Sequence, residues 1–221
     1  MNNQSNGQPR PTRFDREARR ASVRVEAGIS FEHRLIADLI GPKSTVLDLG
    51  CGDGDLLAYL TKKKQVNGQG MEIDEQAIYK CVAKGLSVFH GDLDSGLKDW
   101  GDRSFDYVIL DQSLQQVIHP DTVLQEALRL GKEVIVGFPN FVHAKARWQL
   151  AFRGRVPVTP ALPFEWFNTP NLHFLSLLDF ENYCAKRGIA VKKKIFISDN
   201  KIIRFLPNLR AETGIFLIKK D

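Results

Sequence analysis

The feature that most constrains this chain is a short apolar run that ends in three alternating glycines. The run covers Thr45 to Leu49, the glycines are Gly50, Gly52 and Gly54, and an amphipathic helix is predicted for 56–62. Glycine adopts backbone conformations closed to other residues and lets a ligand approach the main chain closely. A strand, a glycine turn and a helix in this order therefore predict a nucleotide-cofactor site.

Acidic residues stand on both sides of this turn. Asp48 precedes the glycines, and Glu72 ends the next predicted strand, 66–72, at the spacing of about twenty residues that is typical of a ribose-binding acid. A carboxylate has two oxygens with free lone pairs, so Glu72 can accept both ribose hydroxyls. Asp74 has instead the position of a helix cap. The alternative to a role in cofactor binding is that Asp48 caps the turn and that Glu72 is a surface acid at the end of a strand.

Two kinds of cofactor compete for such a turn. A dinucleotide site reads G-x-G-x-x-G, whereas this turn reads D-x-G-x-G-x-G, and Asp53 and Asp55 would repel a pyrophosphate. The turn favours a cationic cofactor without phosphates, such as S-adenosylmethionine (SAM). Its pattern resembles motif I of class I SAM-dependent methyltransferases, in which the acid matching Asp48 orients the loop and the methionine amino group. An NAD site or a structural glycine turn is the alternative.

Two further segments add candidate cofactor contacts. Asp92, in the stretch Gly91-Asp92-Leu93, resembles the methyltransferase acid that contacts the adenine amino group, with Asp94 as its rival and an exposed loop as the alternative. Gln112 follows the fourth predicted strand, at the edge where ligands of open α/β sheets bind. The predicted cofactor-binding residues are Asp48, Gly50, Cys51, Gly52, Gly54, Glu72, Ile73, Asp92, Leu93 and Gln112. The predicted cofactor is SAM or S-adenosylhomocysteine (SAH).

Strand and helix patterns alternate along the chain. Strands are predicted for 45–49, 66–72, 86–90, 104–110 and 132–138, and helices for 31–40, 56–62, 74–84, 120–130, 141–152 and 176–187. The runs 189–197 and 213–218 suit an antiparallel hairpin. This alternation with short links predicts an α/β fold, a Rossmann-like, doubly wound and mostly parallel sheet with a C-terminal antiparallel hairpin. The resemblance at the glycine turn implies the class I SAM-methyltransferase type of that fold.

Composition argues against several classes of protein. With 43% hydrophobic and 26% charged residues, the chain is expected to form a soluble globular body. It has no apolar run of transmembrane length and begins with no apolar signal segment, so no membrane association is expected. The cysteines Cys51, Cys81 and Cys184 lack the spacing of a zinc site or a disulfide framework. We therefore predict no metal and a cytoplasmic location.

The net charge of +5 lies mostly in an N-terminal tail. Residues 1–25 hold six arginines against Asp15 and Glu17, a net charge of +4, which leaves +1 for the remaining 196 residues. We predict a basic, disordered tail over 1–25 and a single domain over 26–221. Because no RNA-binding motif accompanies the charge, a solvated tail is favoured over an arm that binds nucleic acid or a membrane.

The segment 139–173 is the least regular part of the predicted domain. From Pro139 to Phe164 it carries four lysine or arginine cations and no acid, among aromatic residues and prolines. Arginines can bind carboxylates or phosphates bidentately, and ordered loops often form lids or partner surfaces. The candidate residues for substrate or partner binding are His143, Arg147, Arg153, Arg155 and Trp166. The alternative is a solvated helix face followed by a packed loop.

Taken together, these motifs resemble one family, the bacterial methionine-biosynthesis protein MetW. The likeness runs from Arg34 to about Phe196. The matching stretches are VLDLGCGDGDLLAYL at 46–60, GDLD at 91–94, SFDYVIL at 104–110, GFPNF at 137–141, GRVPVT at 154–159, LPFEW at 162–166 and NTPNLH at 168–173. The stretches after residue 137 are specific, since ordinary methyltransferases lack them. One departure is Asp111, where the family more usually has serine, and the acid could alter the pocket.

The resemblance implies a place in methionine biosynthesis and a functional partner, the homoserine O-acyltransferase MetX. It implies no known methyl acceptor. Three functions therefore stay open: a SAM-binding protein that supports homoserine acylation, an active methyltransferase whose small acidic substrate is held by Arg147, Arg153 or Arg155, and an RNA methyltransferase guided by the tail. Methyl transfer depends largely on positioning, so the absence of an obvious base does not decide among them.

Overall fold

One mixed sheet of eight strands organises the chain. The structure, a computed structural model, describes residues 29–98 and 100–220, so the predicted tail over 1–25 lies outside the described residues. The strands are β1 (Thr45–Leu49), β2 (Asn67–Glu72), β3 (Ser87–His90), β4 (Phe105–Asp111), β5 (Gly131–Pro139), β6 (Ile189–Ser198), β7 (Lys201–Ile202) and β8 (Thr213–Lys220). Their spatial order is β3-β2-β1-β4-β5-β8-β6-β7.

Strands β1 to β5 are parallel, and the C-terminal strands are antiparallel. β1 pairs with both β2 and β4, and β8 lies antiparallel between β5 and β6. This arrangement confirms the predicted mostly parallel sheet and its C-terminal antiparallel pair. The chain order reverses at β1 and β4, and ligands of open α/β sheets bind outside the carboxyl ends of strands at such a switch point.

Helices cover both faces of the sheet. They are α1 (Phe31–Leu39), α2 (Asp55–Lys64), α3 (Glu75–Ala83), α4 (Pro120–Leu130), α5 (Ala144–Arg153), α6 (Leu177–Lys186) and α7 (Pro207–Arg210). Val46 and Ile109 pack with α1 and α2, whereas their neighbours Leu47 and Val108 pack with α4 and α6. Successive side chains of a strand point to opposite faces, so each buried strand supplies both halves of the core.

β6 and β8 pair antiparallel, as predicted for the C-terminal hairpin, and the chain between them forms additional short elements. Residues 199–212 contain β7, α7 and three residues with left-handed backbones, Asp199, Asn200 and Leu206. Elements of two and four residues are too short to leave a periodic signal in the sequence. None of the helices described is both long and apolar enough to cross a membrane.

Candidate functional site

The glycine turn forms the floor of the candidate site. All three glycines have left-handed backbones, with φ of 78° at Gly50, 52° at Gly52 and 75° at Gly54. A Cβ on Gly50 would lie 2.8 Å from Ser113 Cβ, and one on Gly54 would lie 2.7 Å from Cys81 Sγ. A Cβ on Gly52 would have nothing within 4 Å. The outer glycines thus allow close packing, whereas the space beside the Cα of Gly52 is open.

Glu72 is tied to this turn by main-chain donors. Its Oε2 accepts from the N–H of Gly52 at 2.8 Å, and its Oε1 accepts from the N–H groups of Ile73 and Asp74 at 2.8 and 3.0 Å. A carboxylate has about four acceptor positions, and these three bonds leave one for a ligand hydroxyl. The open space at Gly52 and this spare position of Glu72 fit a ribose-bearing ligand.

The two acids of the 91–94 loop have different environments. Asp94 accepts from the N–H groups of Ile118 and His119, both at 2.8 Å, and so joins this loop to the segment after β4. Burial opposes the charged form of Asp94, but these hydrogen bonds lower its pKa overall. Asp92 is exposed and accepts from the N–H of Asp94 at 2.9 Å. Asp94 therefore fixes the loop, and Asp92 is the acid with an exposed side chain.

A group of carboxylates that the motifs did not single out lies beside Asp48. Glu32 and His33 come from the first turn of α1 and Asp111 ends β4; His33 Nε2 lies 3.4 Å from Asp111 Oδ2. Gln112 Nε2 donates to Glu32 Oε1 at 3.0 Å, so this predicted residue also belongs to the group. We call Glu32, His33, Asp48, Asp111 and Gln112 the acidic cluster.

Burial and mutual repulsion favour protonation of two members of the acidic cluster. Burial, followed by the charges of Asp111 and Glu72, raises the pKa of Asp48 to about 7, although His33 acts in the opposite direction. Burial and then the charge of Asp111 raise the pKa of Glu32 to about 8. Burial alone would lower the pKa of His33, but its hydrogen bond to Asp111 and the surrounding acids raise it.

The segment that follows β4 links the acidic cluster to the family-specific region. Gln112 has a left-handed backbone with φ of 58°, and Gln115 Nε2 donates to its carbonyl oxygen at 2.9 Å. The carbonyl of Gln115 accepts from the N–H groups of Leu172 and His173 at 2.9 and 3.1 Å. The end of segment 139–173 is therefore anchored beside the carboxyl end of β4.

Two of the predicted substrate or partner residues make internal contacts. His143 is buried, its Nδ1 lies 3.2 Å from the carbonyl oxygen of Asn140, and burial lowers its pKa. Arg147 donates to the carbonyl oxygens of Val142 and Asn208. These two side chains thus connect α5 to the loop before it, and Arg147 also links α5 to α7.

The other three predicted residues lie on the surface. Cζ of the Arg153 guanidinium lies 4.6 Å from the centroid of the Trp148 ring. Arg155 is exposed. The side chain of Trp166 is 73% exposed and that of its ring partner Phe167 is 69% exposed. Arg147 is exposed as well, so His143 is the one buried member of this predicted set of five.

Segment 139–173 exposes an apolar surface around a pocket. The pocket has a volume of about 220 Å³, and its walls include Phe141, Leu162, Phe164, Trp166 and Phe174. Exposed apolar area of this kind is typical of interaction sites. We call the exposed faces of Phe164, Trp166, Phe167 and Phe174 the aromatic patch.

The carboxylates of α1 could not have been found from the sequence. In α1 the apolar spacing predicts an amphipathic helix, and polar residues such as Glu32 and His33 read as its solvated face. Only the packing of the helix start against the end of β4 brings them to Asp111. In the sequence, Asp111 differs from its neighbours only as a departure from the family pattern.

Comparison with known proteins supports the fold and the pathway. The sequence profile described as "Methionine biosynthesis protein MetW" matches residues 30–218. The bifunctional methionine biosynthesis protein MetXA/MetW of Rhodopirellula baltica is 31% identical over 213 residues, which cover 90% of this chain and 34% of that protein. The chain thus spans about a third of the length of this curated relative.

Solved structures show a similar fold. A SAM-dependent methyltransferase from Archaeoglobus fulgidus superposes with a TM-score of 0.62 and 16% identity, covering 85% of this chain and 94% of that one. Another from Mesorhizobium loti gives a TM-score of 0.64 at 14% identity, with 86% and 98% covered. These likenesses confirm the methyltransferase-type fold.

Proposed function

Because the chain belongs to the MetW family of methionine biosynthesis proteins, we propose that it binds SAM or SAH and supports a homoserine O-acyltransferase. Its place in methionine biosynthesis follows from family membership. The cofactor and the partner are the proposed part. The observation that carries the proposal is the meeting of the glycine turn, Glu72 and the anchored end of segment 139–173 at one edge of the sheet.

The cofactor proposal rests on the geometry of the turn. Main chain is open at Gly52, the Glu72 carboxylate stands next to it, and Asp92 is exposed at the end of the neighbouring strand β3. In the proposed complex the remaining acceptor position of Glu72 binds a ribose hydroxyl, and Asp92 binds the adenine amino group. SAM, when bound, would supply an electrophilic methyl group and a sulfonium charge, both of which SAH lacks. The acidic surroundings suit its positive charge, whereas a pyrophosphate would be repelled.

Replacing Glu72 by alanine is expected to weaken SAH binding by roughly 1–3 kcal/mol, the effect of losing charge-assisted hydrogen bonds. Part of this loss of affinity comes from the turn itself. The N–H groups of Gly52, Ile73 and Asp74 lose the acceptor that holds them in place. Calorimetric titration measures the change. Glu75→Ala, at the exposed first position of α3, is the matched control. Unchanged affinity in Glu72→Ala, or preferential binding of NAD, would contradict the assignment.

The partner proposal rests on a relative and on a surface. The relative from Rhodopirellula baltica carries MetXA and MetW in one chain, and a covalent fusion keeps two cooperating domains at high effective concentration. The aromatic patch offers this chain a surface for the same association without a covalent link. Aromatic side chains with neighbouring arginines are effective interface anchors.

The direct experiment combines the chain with the homoserine acyltransferase of the same organism. We expect the two proteins to co-elute and the acyltransferase activity to rise. The Glu72→Ala variant separates the two halves of the proposal, because the aromatic patch is intact in it. Absence of both a complex and stimulation, with and without SAM, would refute the partner proposal and leave the cofactor proposal standing.

A further inference from the structure

The pocket in segment 139–173 has walls that are fixed by their own hydrogen bonds. The side chain of Gln149 donates to the carbonyl oxygen of Val158 at 2.9 Å and accepts from its N–H at 3.1 Å, which ties the chain after α5 to that helix. Thr159 and Leu162 exchange two main-chain hydrogen bonds of 2.9 and 3.1 Å. The pocket is therefore preformed, and filling it requires little ordering of the chain.

The size and the walls of the pocket define what fits inside. Four aromatic residues line it, namely Phe141, Phe164, Trp166 and Phe174, and the ring centroids of Phe141 and Phe174 are 4.3 Å apart. An apolar cavity of roughly 150 Å³ binds benzene. The volume of about 220 Å³ therefore admits one large apolar side chain, such as that of leucine or phenylalanine.

The lining offers few polar groups to a ligand. Its polar residues are Glu165, Thr169 and Asn171, and Thr169 Oγ1 already accepts from the N–H of Asn171 at 3.1 Å. Sites for free small molecules orient their ligand with several placed polar groups. An apolar side chain that a larger partner holds in position needs no such groups, so the pocket fits part of a protein better than a free small molecule.

The charge beside the pocket indicates the neighbours of that side chain. Arg155 directly precedes Val156, which lines the pocket, and Arg153 lies two positions earlier. No carboxylate within 29–98 or 100–220 pairs with either arginine, and residues 139–164 contain no acid. A carboxylate of the partner would gain charge-assisted hydrogen bonds there. Because Glu165 also lines the pocket, that carboxylate belongs on the side of Arg155.

Charge also excludes two other occupants. A second copy of this chain that used the same surface in a symmetric contact would bring the same arginines to it. The N-terminal residues 1–25 carry a net charge of +4 and would be repelled by these arginines. An acidic and apolar segment of another protein is the occupant that satisfies both the pocket and the arginines.

We propose that the pocket receives one large apolar side chain of the homoserine acyltransferase, and that a carboxylate next to this side chain pairs with Arg153 or Arg155. The inference rests on the proposed partner and specifies how that partner is recognised. A single anchor that fills a preformed pocket, ringed by the aromatic patch, is the arrangement in which a few residues supply most of the binding energy.

Filling the pocket tests the apolar part of the contact. Val156 is 45% exposed, so Val156→Trp places a large ring at the pocket without disturbing the core. Titration with the acyltransferase should show an affinity reduced about thirtyfold or more, the effect of losing a main anchor. Melting temperature and SAH affinity should stay those of the native chain. Val82→Trp, the same substitution at a 59% exposed position of α3, is the matched control.

Two further variants complete the test. Asn171→Phe fills the pocket from another lining residue and keeps the N–H that bonds Thr169, so it decides the question if Val156→Trp does not fold. Arg153→Gln with Arg155→Gln removes both charges. At low salt this double variant should bind the acyltransferase about tenfold more weakly than the native chain, and the difference should shrink in about 0.5 M salt because ions screen the pairs.

The outcomes separate this inference from the proposed function. If the native chain binds the acyltransferase and the pocket-filling variants bind it equally well, the pocket is not the anchor site and the inference is overturned, while the partner proposal stands. An equal loss of affinity in Val82→Trp also overturns it. If the native chain does not bind the acyltransferase at all, the partner proposal fails and the inference fails with it.

Discussion

Replacing Trp166 and Phe167 together by serine is expected to abolish stimulation of the homoserine acyltransferase and leave the fold intact. Both side chains are more than two thirds exposed, at 73% and 69%, and their ring centroids are 5.8 Å apart. Their removal therefore opens no cavity in the core. If each ring contributes roughly 2 kcal/mol as an interface anchor, affinity for the partner should fall more than a hundredfold.

The controls for this double variant are simple. Titration with the acyltransferase measures affinity, calorimetric melting measures the fold, and SAH titration measures the cofactor site. Tyr79→Ser removes a similarly exposed aromatic residue from α3, outside segment 139–173, and should leave partner affinity unchanged. Equal partner affinity in the native chain and in the double variant would refute the role of the aromatic patch.

Charge reversal tests the neighbouring arginines separately. Arg153→Glu with Arg155→Glu should leave SAM binding within about threefold, roughly 0.65 kcal/mol, and abolish stimulation of the acyltransferase. Lys62→Glu with Lys63→Glu makes the same change of charge at the end of α2 and is the matched control. If stimulation persists and methylation of a small carboxylate is lost instead, segment 139–173 is a substrate lid and the enzymatic alternative is correct.

The second large effect is expected in the pH dependence of stability. The pKa of Asp48 rises from its ordinary value of 3.8 to about 7 through burial and the charges of Asp111 and Glu72, against the influence of His33. Between about pH 4 and pH 7, Asp48 is therefore protonated in the folded state and ionised in the unfolded state. The resulting stability is fully present below about pH 4 and is lost as the pH rises through 7.

For Asp48 alone this loss amounts to at most roughly 4 kcal/mol, at 1.36 kcal/mol for each pKa unit. Glu32 contributes in the same direction, since its pKa is also raised, to about 8. Denaturant unfolding at pH 5, 6, 7 and 8 should show the native chain losing stability relative to Asp48→Asn as the pH rises. Asp38→Asn, an exposed acid on α1, is the control. A stability difference that does not change with pH would contradict the raised pKa of the buried Asp48.

The sequence alone determined the sheet and the family. An apolar run, alternating glycines and a helix are local features, and each is specified by residues adjacent in the chain; the predicted alternation of strands and helices is confirmed by the fold. The MetW assignment is confirmed by the match over residues 30–218. The roles of Glu72, Asp92 and Gln112 toward a cofactor stay predictions.

Only the tertiary structure decided how the polar side chains are used. Arg147 and Arg153 have the same charge in the sequence, yet Arg147 links the loop before α5 to α7, and Arg153 lies over an exposed ring. Glu32 and Asp111 are 79 positions apart, and the packing of α1 against the end of β4 makes them neighbours. A side chain's pKa and hydrogen bonds depend on which distant groups exclude water from it, and that depends on how the elements pack rather than on the local sequence.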